Sequence, residues 1–104
     1  MNILLVFCTF TDMETARQAG TMLVESQLAA CVNLCPGIES IYRWKDQVER
    51  SAEVLAIFKT TEAAFARFQI RLRELHPYEV PEIVALTPDH VSPDYGRWLK
   101  DATV

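Results

Sequence analysis

Two side chains capable of ligating metal stand at the ends of predicted elements: Cys8, closing the apolar run Ile3-Leu4-Leu5-Val6-Phe7, and His76, directly before a proline. A thiolate with a neutral imidazole suits a soft or borderline divalent ion, although two donors alone make an incomplete site. The segment His76-Pro77-Tyr78-Glu79-Val80-Pro81-Glu82 carries more information, because its two prolines stiffen a loop that displays an imidazole, a phenol and carboxylates. Lys59 and Tyr42 could add polar groups to such a site. The same residues also have structural uses. Cysteine is among the residues most often buried, a histidine at a helix C-terminus is well placed against the dipole, and Tyr78 and Glu82 could serve as packing and edge charge in a rigid connection.

Other local machinery is missing. The chain has no G-x-G-x-x-G, P-loop, C-x-x-C or G-x-S-x-G, so dinucleotide, nucleoside triphosphate, thioredoxin-like and hydrolase-elbow chemistry have no local basis. An iron–sulfur protein needs four spaced cysteines, and a soft-metal chaperone needs a pair after its first strand, where Cys8 stands alone. The aromatic and basic strand motif of an RNA-recognition module is absent as well.

The elements that must position these residues are legible from periodicity. Residues 3–8 are continuously apolar, which predicts a central strand buried on both faces. Thr11-x-x-Glu14 reads as a capping box, followed by a helix over about 12–27 with Met13, Ala16, Gly20, Leu23 and Gln27 on one stripe. Residues 30–44 suit a long strand bent at Pro36-Gly37, Lys45-Asp46-Gln47 a polar turn, and 48–60 a returning strand, together an antiparallel hairpin. Phe65, Phe68, Leu72 and Leu75 define a helix from Thr61 or Glu62 to Leu75, ended by Pro77. Residues 82–86 predict a short apolar strand, and Ser92-Pro93-Asp94 starts a last helix carrying Tyr95, Trp98 and Leu99. The order β-α-β-β-α-β plus a short helix predicts an α+β, ferredoxin-like split β-α-β sandwich, with helices on one face of an antiparallel sheet.

Length and composition fit one such domain over residues 1–104. The chain has 104 residues, half of them hydrophobic, and only 3 glycines and 5 prolines, the balance of a sequence that buries a core. A net charge of −4 with no basic cluster disfavours nucleic-acid binding. Three cysteines, Cys8, Cys31 and Cys35, read as reduced thiols in a cytoplasmic protein. The apolar start from Met1 to Cys8 lacks the basic leader and length of a signal or membrane span, so a strand and no membrane association are expected.

Residues 31–44 would extend about 46 Å at ~3.3 Å per residue, whereas a globule of this size is only about 34 Å across. The hairpin should therefore overhang, unless Pro36-Gly37 curls it back over its own sheet. An overhang carrying Ile41, Tyr42 and Trp44 would expose apolar surface and free strand edges, for which closed association of identical chains is the economical remedy.

Several ordered features converge on one family. Cys8-Thr9 after an apolar strand, Leu28-Ala29-Ala30-Cys31-Val32-Asn33, Pro36-Gly37, Tyr42-Arg43-Trp44, Glu53, Lys59-Thr60-Thr61, His76-Pro77-Tyr78 through Pro81-Glu82, and Tyr95 with Trp98 resemble the CutA family of divalent-cation-tolerance proteins over essentially the whole chain. The resemblance implies a homotrimer similar to the P-II signalling proteins, with long hairpins joining the subunits and clefts between them. It also implies a copper site at the cysteine after the first strand and at a His-His pair before Pro-Tyr. Cys8 and His76 match those positions, while Leu75 stands in place of the first histidine, leaving Glu82, Tyr78 or water to complete the sphere.

The resulting expectation is a non-enzymatic protein of metal response that binds copper, another divalent cation or a small anionic ligand, and no organic cofactor. Cys8, His76 and Glu82 are its expected ligands, and Asn33, Tyr42, Trp44, Lys59, Tyr78, Tyr95 and Trp98 its expected cleft lining. Two rival expectations are a small-molecule-sensing signalling adaptor and a weak enzyme using His76 as acid or base.

Overall fold

The structure, a computed structural model, describes residues 2–104; Met1, counted above in the apolar start, lies outside them. The elements are β1 (Ile3–Phe10), α1 (Met13–Glu25), β2 (Cys31–Trp44), β3 (Gln47–Thr61), α2 (Glu62–Leu75), β4 (Val84–Leu86) and α3 (Pro93–Asp101). The four strands form one antiparallel sheet in the order β2-β3-β1-β4, the ferredoxin-like arrangement expected from element order.

One face of the sheet holds the core. Leu4, Val6, Cys8 and Phe10 of β1 alternate into it beside Val54, Ala56 and Phe58 of β3, and are covered by Ala16, Ala19 and Leu23 of α1 and Phe68 and Leu72 of α2. Phe58 meets Phe68 edge to face at 5.1 Å. α1 lies very close to the sheet at Gly20, where an added Cβ would sit 2.9 Å from Val32 Cγ1. Thr61 caps α2 by accepting from the Ala64 N–H, and the helix stops at Leu75, two residues before Pro77.

The second face of the sheet differs from expectation. Residues 3–8 read as buried on both sides, yet Leu5 and Phe7, with Leu55 and Ile57 of β3, are only half-covered, and Val84 and Leu86 of β4 are exposed. α3 covers one end only, through a separate small cluster of Ile3, Ala30 and Leu99. The helices therefore do not all share one face: Ile3 is one step out of phase with Leu4 along β1.

Other boundaries also moved. β1 runs to Phe10, so Cys8 is interior to the strand, and the Thr11-Glu14 box does not form; Asp12 is the cap, its Oδ1 accepting from the Thr15 N–H at 2.8 Å. In α1 the buried stripe uses Ala19 with Ala16, Gly20 and Leu23, while Gln27 lies beyond the helix with φ +61°. Lys45 and Asp46, both with positive φ, make a two-residue turn and Gln47 already pairs with Trp44. The strand expected over 82–86 shrinks to Val84–Leu86, opposite Phe7, Val6 and Leu5, while the Thr9 carbonyl farther along β1 is bonded by His76 instead.

The hairpin overhangs. β1 pairs with β3 only as far as Phe10 opposite Val54, leaving residues 47–53 of β3 paired, among the described strands, with β2 alone, and the molecule measures 44 × 26 × 23 Å. The expected irregularity at Pro36-Gly37 is a bulge: Cys35 faces Leu55, and the next pair is Ile38 with Glu53. Gly37 at φ +82° takes the left-handed conformation there. One extra residue reverses the phase of everything beyond it, so Ser40, Tyr42 and Trp44 share the face of Cys31, Asn33 and Cys35.

Candidate functional site

Because of that phase change, Tyr42 and Trp44 lie on the sheet face that also carries Thr9 and Glu53. Together with the 77–82 loop they enclose a cleft of about 670 Å³, lined among others by Thr9, Tyr42, Trp44, Glu53, Tyr78, Glu79 and Glu82. Three of the lining residues are carboxylates and none is basic. The lining that this chain supplies therefore favours a cation over an anion.

Glu53 joins the two walls. It is only 8% exposed, and its Oε2 accepts a 2.5 Å hydrogen bond from the Tyr78 hydroxyl. Burial, the hydrogen bond to Glu53 and the charge of that carboxylate hold the Tyr78 phenol above its ordinary range, so it stays protonated and donates. Tyr42 is fixed from the other side by a 2.9 Å hydrogen bond between its hydroxyl and that of Ser51.

His76 sits behind this loop, buried and stacked on Phe10 at 4.4 Å between ring centres. Its Nδ1 accepts from the Tyr78 backbone N–H at 3.1 Å, so the neutral ring carries its proton on Nε2 and donates to the Thr9 carbonyl at 2.7 Å. Burial lowers its pKa, against the opposing effects of the Thr9 hydrogen bond and the Glu53 charge. Both nitrogens are thus spent on holding the loop against β1.

Cys8 is fully buried in the helix-facing core. Burial, then the charges of Glu82 and Glu53, push its thiol up to about 12, leaving it protonated at neutral pH. A ring with both nitrogens bonded and a protonated, enclosed thiol are poor donors, and no group of three His, Cys, Asp or Glu that could hold a metal ion occurs among the described residues. In this arrangement Cys8, His76 and Glu82 do not fit a closed metal centre.

The other expected lining residues divide. Tyr42, Trp44 and Tyr78 reach the cleft. Asn33 and Lys59 share its sheet face but lie toward the other end of the ladder, where the Lys59 ammonium is 3.8 Å from Cys31 Sγ. Tyr95 and Trp98 meet in a tilted pair along α3, 5.5 Å between ring centres, and Trp98 borders a shallow groove beside α1 instead. Periodicity missed Glu53, although its place in the family pattern singled it out. The local signal was a lone carboxylate directly before the apolar Val54-Leu55-Ala56-Ile57-Phe58 run, where the overhang enters the sheet.

Comparison with known proteins agrees with this architecture. The family model for the CutA1 divalent ion tolerance protein matches residues 4–102. The "Divalent-cation tolerance protein CutA" of Thermus thermophilus is 46% identical over 98 residues, covering 94% of this chain and 95% of that protein. Human "Protein CutA" is 38% identical over 97 residues, and there the chain spans only 54% of the relative's length. Among solved structures, that of the Thermus thermophilus protein superposes with a TM-score of 0.95 at 44% identity, covering 98% of this chain and 99% of that one. CutA from Xylella fastidiosa gives 0.96 at 33% identity, with complete coverage of both. By sequence over nearly its whole length, and by a fold that agrees strand for strand with what that sequence implies, this chain belongs to the CutA1 divalent ion tolerance family.

Proposed function

We propose that the protein acts in divalent-cation tolerance as a non-enzymatic binding protein, assembled as a P-II-like homotrimer in the cytoplasm, with its clefts completed where subunits meet. The observation that carries the assembly is the uncovered second face of the sheet. Leu5, Phe7, Leu55 and Ile57 are half-exposed and Val84 and Leu86 are exposed on that face, and the overhanging hairpin presents Ile41 and Val48, 64% and 67% exposed, from its opposite face. A contiguous apolar face with free strand edges at both sides of the sheet is covered most simply by identical copies.

The ion, copper or another divalent metal, is cargo of the cleft. The chemistry available to it is carboxylate oxygen from Glu79 and Glu82, which favours a hydrated ion held through water over a dehydrated one in a thiolate–imidazole cage. Cys8 and His76 serve as framework in this reading. The adaptor and acid–base alternatives gain nothing from a histidine whose two nitrogens are already bonded to the backbone.

Titration of dialysed protein with Cu(II) tests the assignment. Glu79→Gln with Glu82→Gln is expected to weaken uptake about tenfold or more, while Cys8→Ser leaves it within about twofold. Loss of binding in Cys8→Ser with retention in the double variant would return the site to the thiol. Sedimentation equilibrium at micromolar concentration should give three times the mass of the 104-residue chain; a folded monomer would remove the shared clefts.

A further inference from the structure

We infer that the inner part of the cleft is built for a small organic cation, an alkylammonium carrying an apolar group, in addition to the metal ions of the outer carboxylates. The inference rests on reading the cleft as a cation site and names a second class of ligand for it.

Three observations converge. Glu53 is more than nine-tenths buried and lines the cleft, and while Oε2 is bonded to Tyr78, Oε1 takes no hydrogen bond from any described residue. Oε1 is nevertheless not sealed away, since no buried side-chain oxygen or nitrogen among the described residues lacks a partner. A carboxylate held in place by Tyr78, with one oxygen open to an aromatic-lined cleft, offers a fixed charged acceptor to a cation.

The walls around it are aromatic. Tyr42, Trp44 and Tyr78 line the same space, and aromatic faces attract ammonium groups while burying the hydrocarbon attached to them. Trp44 already shows this preference within the chain, where Lys45 Nζ lies 5.7 Å from its ring centre. The volume of about 670 Å³ is that of a small-molecule pocket, far larger than a bare ion needs, and the described residues offer no three-donor cage for one. One acceptor at the inner end, aromatic sides and Glu79 and Glu82 at the loop fit a cation with a body.

The test uses the assembled full-length protein and 2-phenylethylammonium as probe, with 2-phenylethanol and 3-phenylpropanoate as neutral and anionic controls of similar shape. Binding is read by calorimetry and by Trp44 fluorescence in a Trp98→Phe background. The amine should bind about tenfold or more tightly than either control. Glu53→Gln, which keeps an acceptor for Tyr78 and removes the charge, should weaken the amine about tenfold or more. Trp44→Leu at the exposed wall should weaken it several-fold, and Lys45→Gln should leave it equal or tighter. Should Glu53→Gln fail to fold, Trp44→Leu carries the test alone.

Equal binding of amine and alcohol, or indifference of the amine to both Glu53→Gln and Trp44→Leu, would overturn the inference. Copper titration of the same samples separates the two readings. Copper uptake that depends on Glu79 and Glu82, with no amine binding, sinks only the organic-cation site; loss of both sinks the cleft as a cation site.

Discussion

Cys8 and His76 show how burial decides what a reactive side chain does. The three thiols are graded from fully buried Cys8 through half-buried Cys31 to exposed Cys35. Iodoacetamide at neutral pH should therefore label Cys8 only after unfolding, as peptide mass spectrometry would show; early labelling of Cys8 would contradict its enclosure. His76 gives a pH dependence of definite sign. Its folded pKa lies below the ordinary 6.5, so above that value both states are neutral and its contribution is fully present. As pH falls below it the unfolded chain binds the proton first, and stability is lost until the folded ring also titrates. Thermal melts between pH ~7 and ~5 should fall less steeply in His76→Gln than in the parent. At neutral pH His76→Ala should cost about 1–3 kcal/mol, because the Thr9 carbonyl and Tyr78 N–H lose their partner.

Elements are set by their neighbours as well as by their own patterns. The helical stripe on α1 and its small residues were readable, but which side chain Gly20 makes room for was not, since it is a β-branched residue twelve positions later in a strand. Gly20→Ala should gain roughly 1 kcal/mol of helix propensity and lose more to the clash with Val32, for a net cost of about 1–2 kcal/mol. In a Val32→Ala background the same change should become stabilising by up to about 1 kcal/mol, a reversal that denaturant melts of the four proteins would reveal. If both backgrounds respond alike, the contact does not limit the approach of helix to sheet. The bulge at Pro36-Gly37 acts similarly at a distance, since its extra residue places Tyr42 and Trp44 on the cleft side.

At the scale of the whole molecule, the sheet has two apolar faces, one covered by α1 and α2 and the other only at one end by α3. The proposed trimer supplies the missing layer, and it makes stability depend on concentration, because dissociation exposes that face. Replacing Ile41 and Val48 on the overhang by lysine should leave the monomer fold intact, since both side chains are exposed, and shift sedimentation toward smaller species. The melting temperature of that variant should fall on dilution more than the parent's. Unchanged mass would place the interface away from the hairpin.

The fold itself was written in the chain: alternation, helical stripes, capping residues and prolines are local, and the β-α-β-β-α-β order leaves few topologies open. The overhang was also foreseeable, because strand length is a property of the sequence. What tertiary structure alone decided was which chemistry stays accessible. Cys8 reads as a ligand until two further residues of strand and two helices enclose it, His76 until its ring is shared between Thr9 and the Tyr78 backbone, and Lys59 as a cleft residue until the ladder sets it at the far end. Glu53 made the opposite change, from a residue of the family pattern with no role read for it to the buried carboxylate that ties Tyr78 to the hairpin. Donor availability depends on burial and on competing hydrogen bonds, which are contacts between residues far apart in sequence, and no local pattern encodes them.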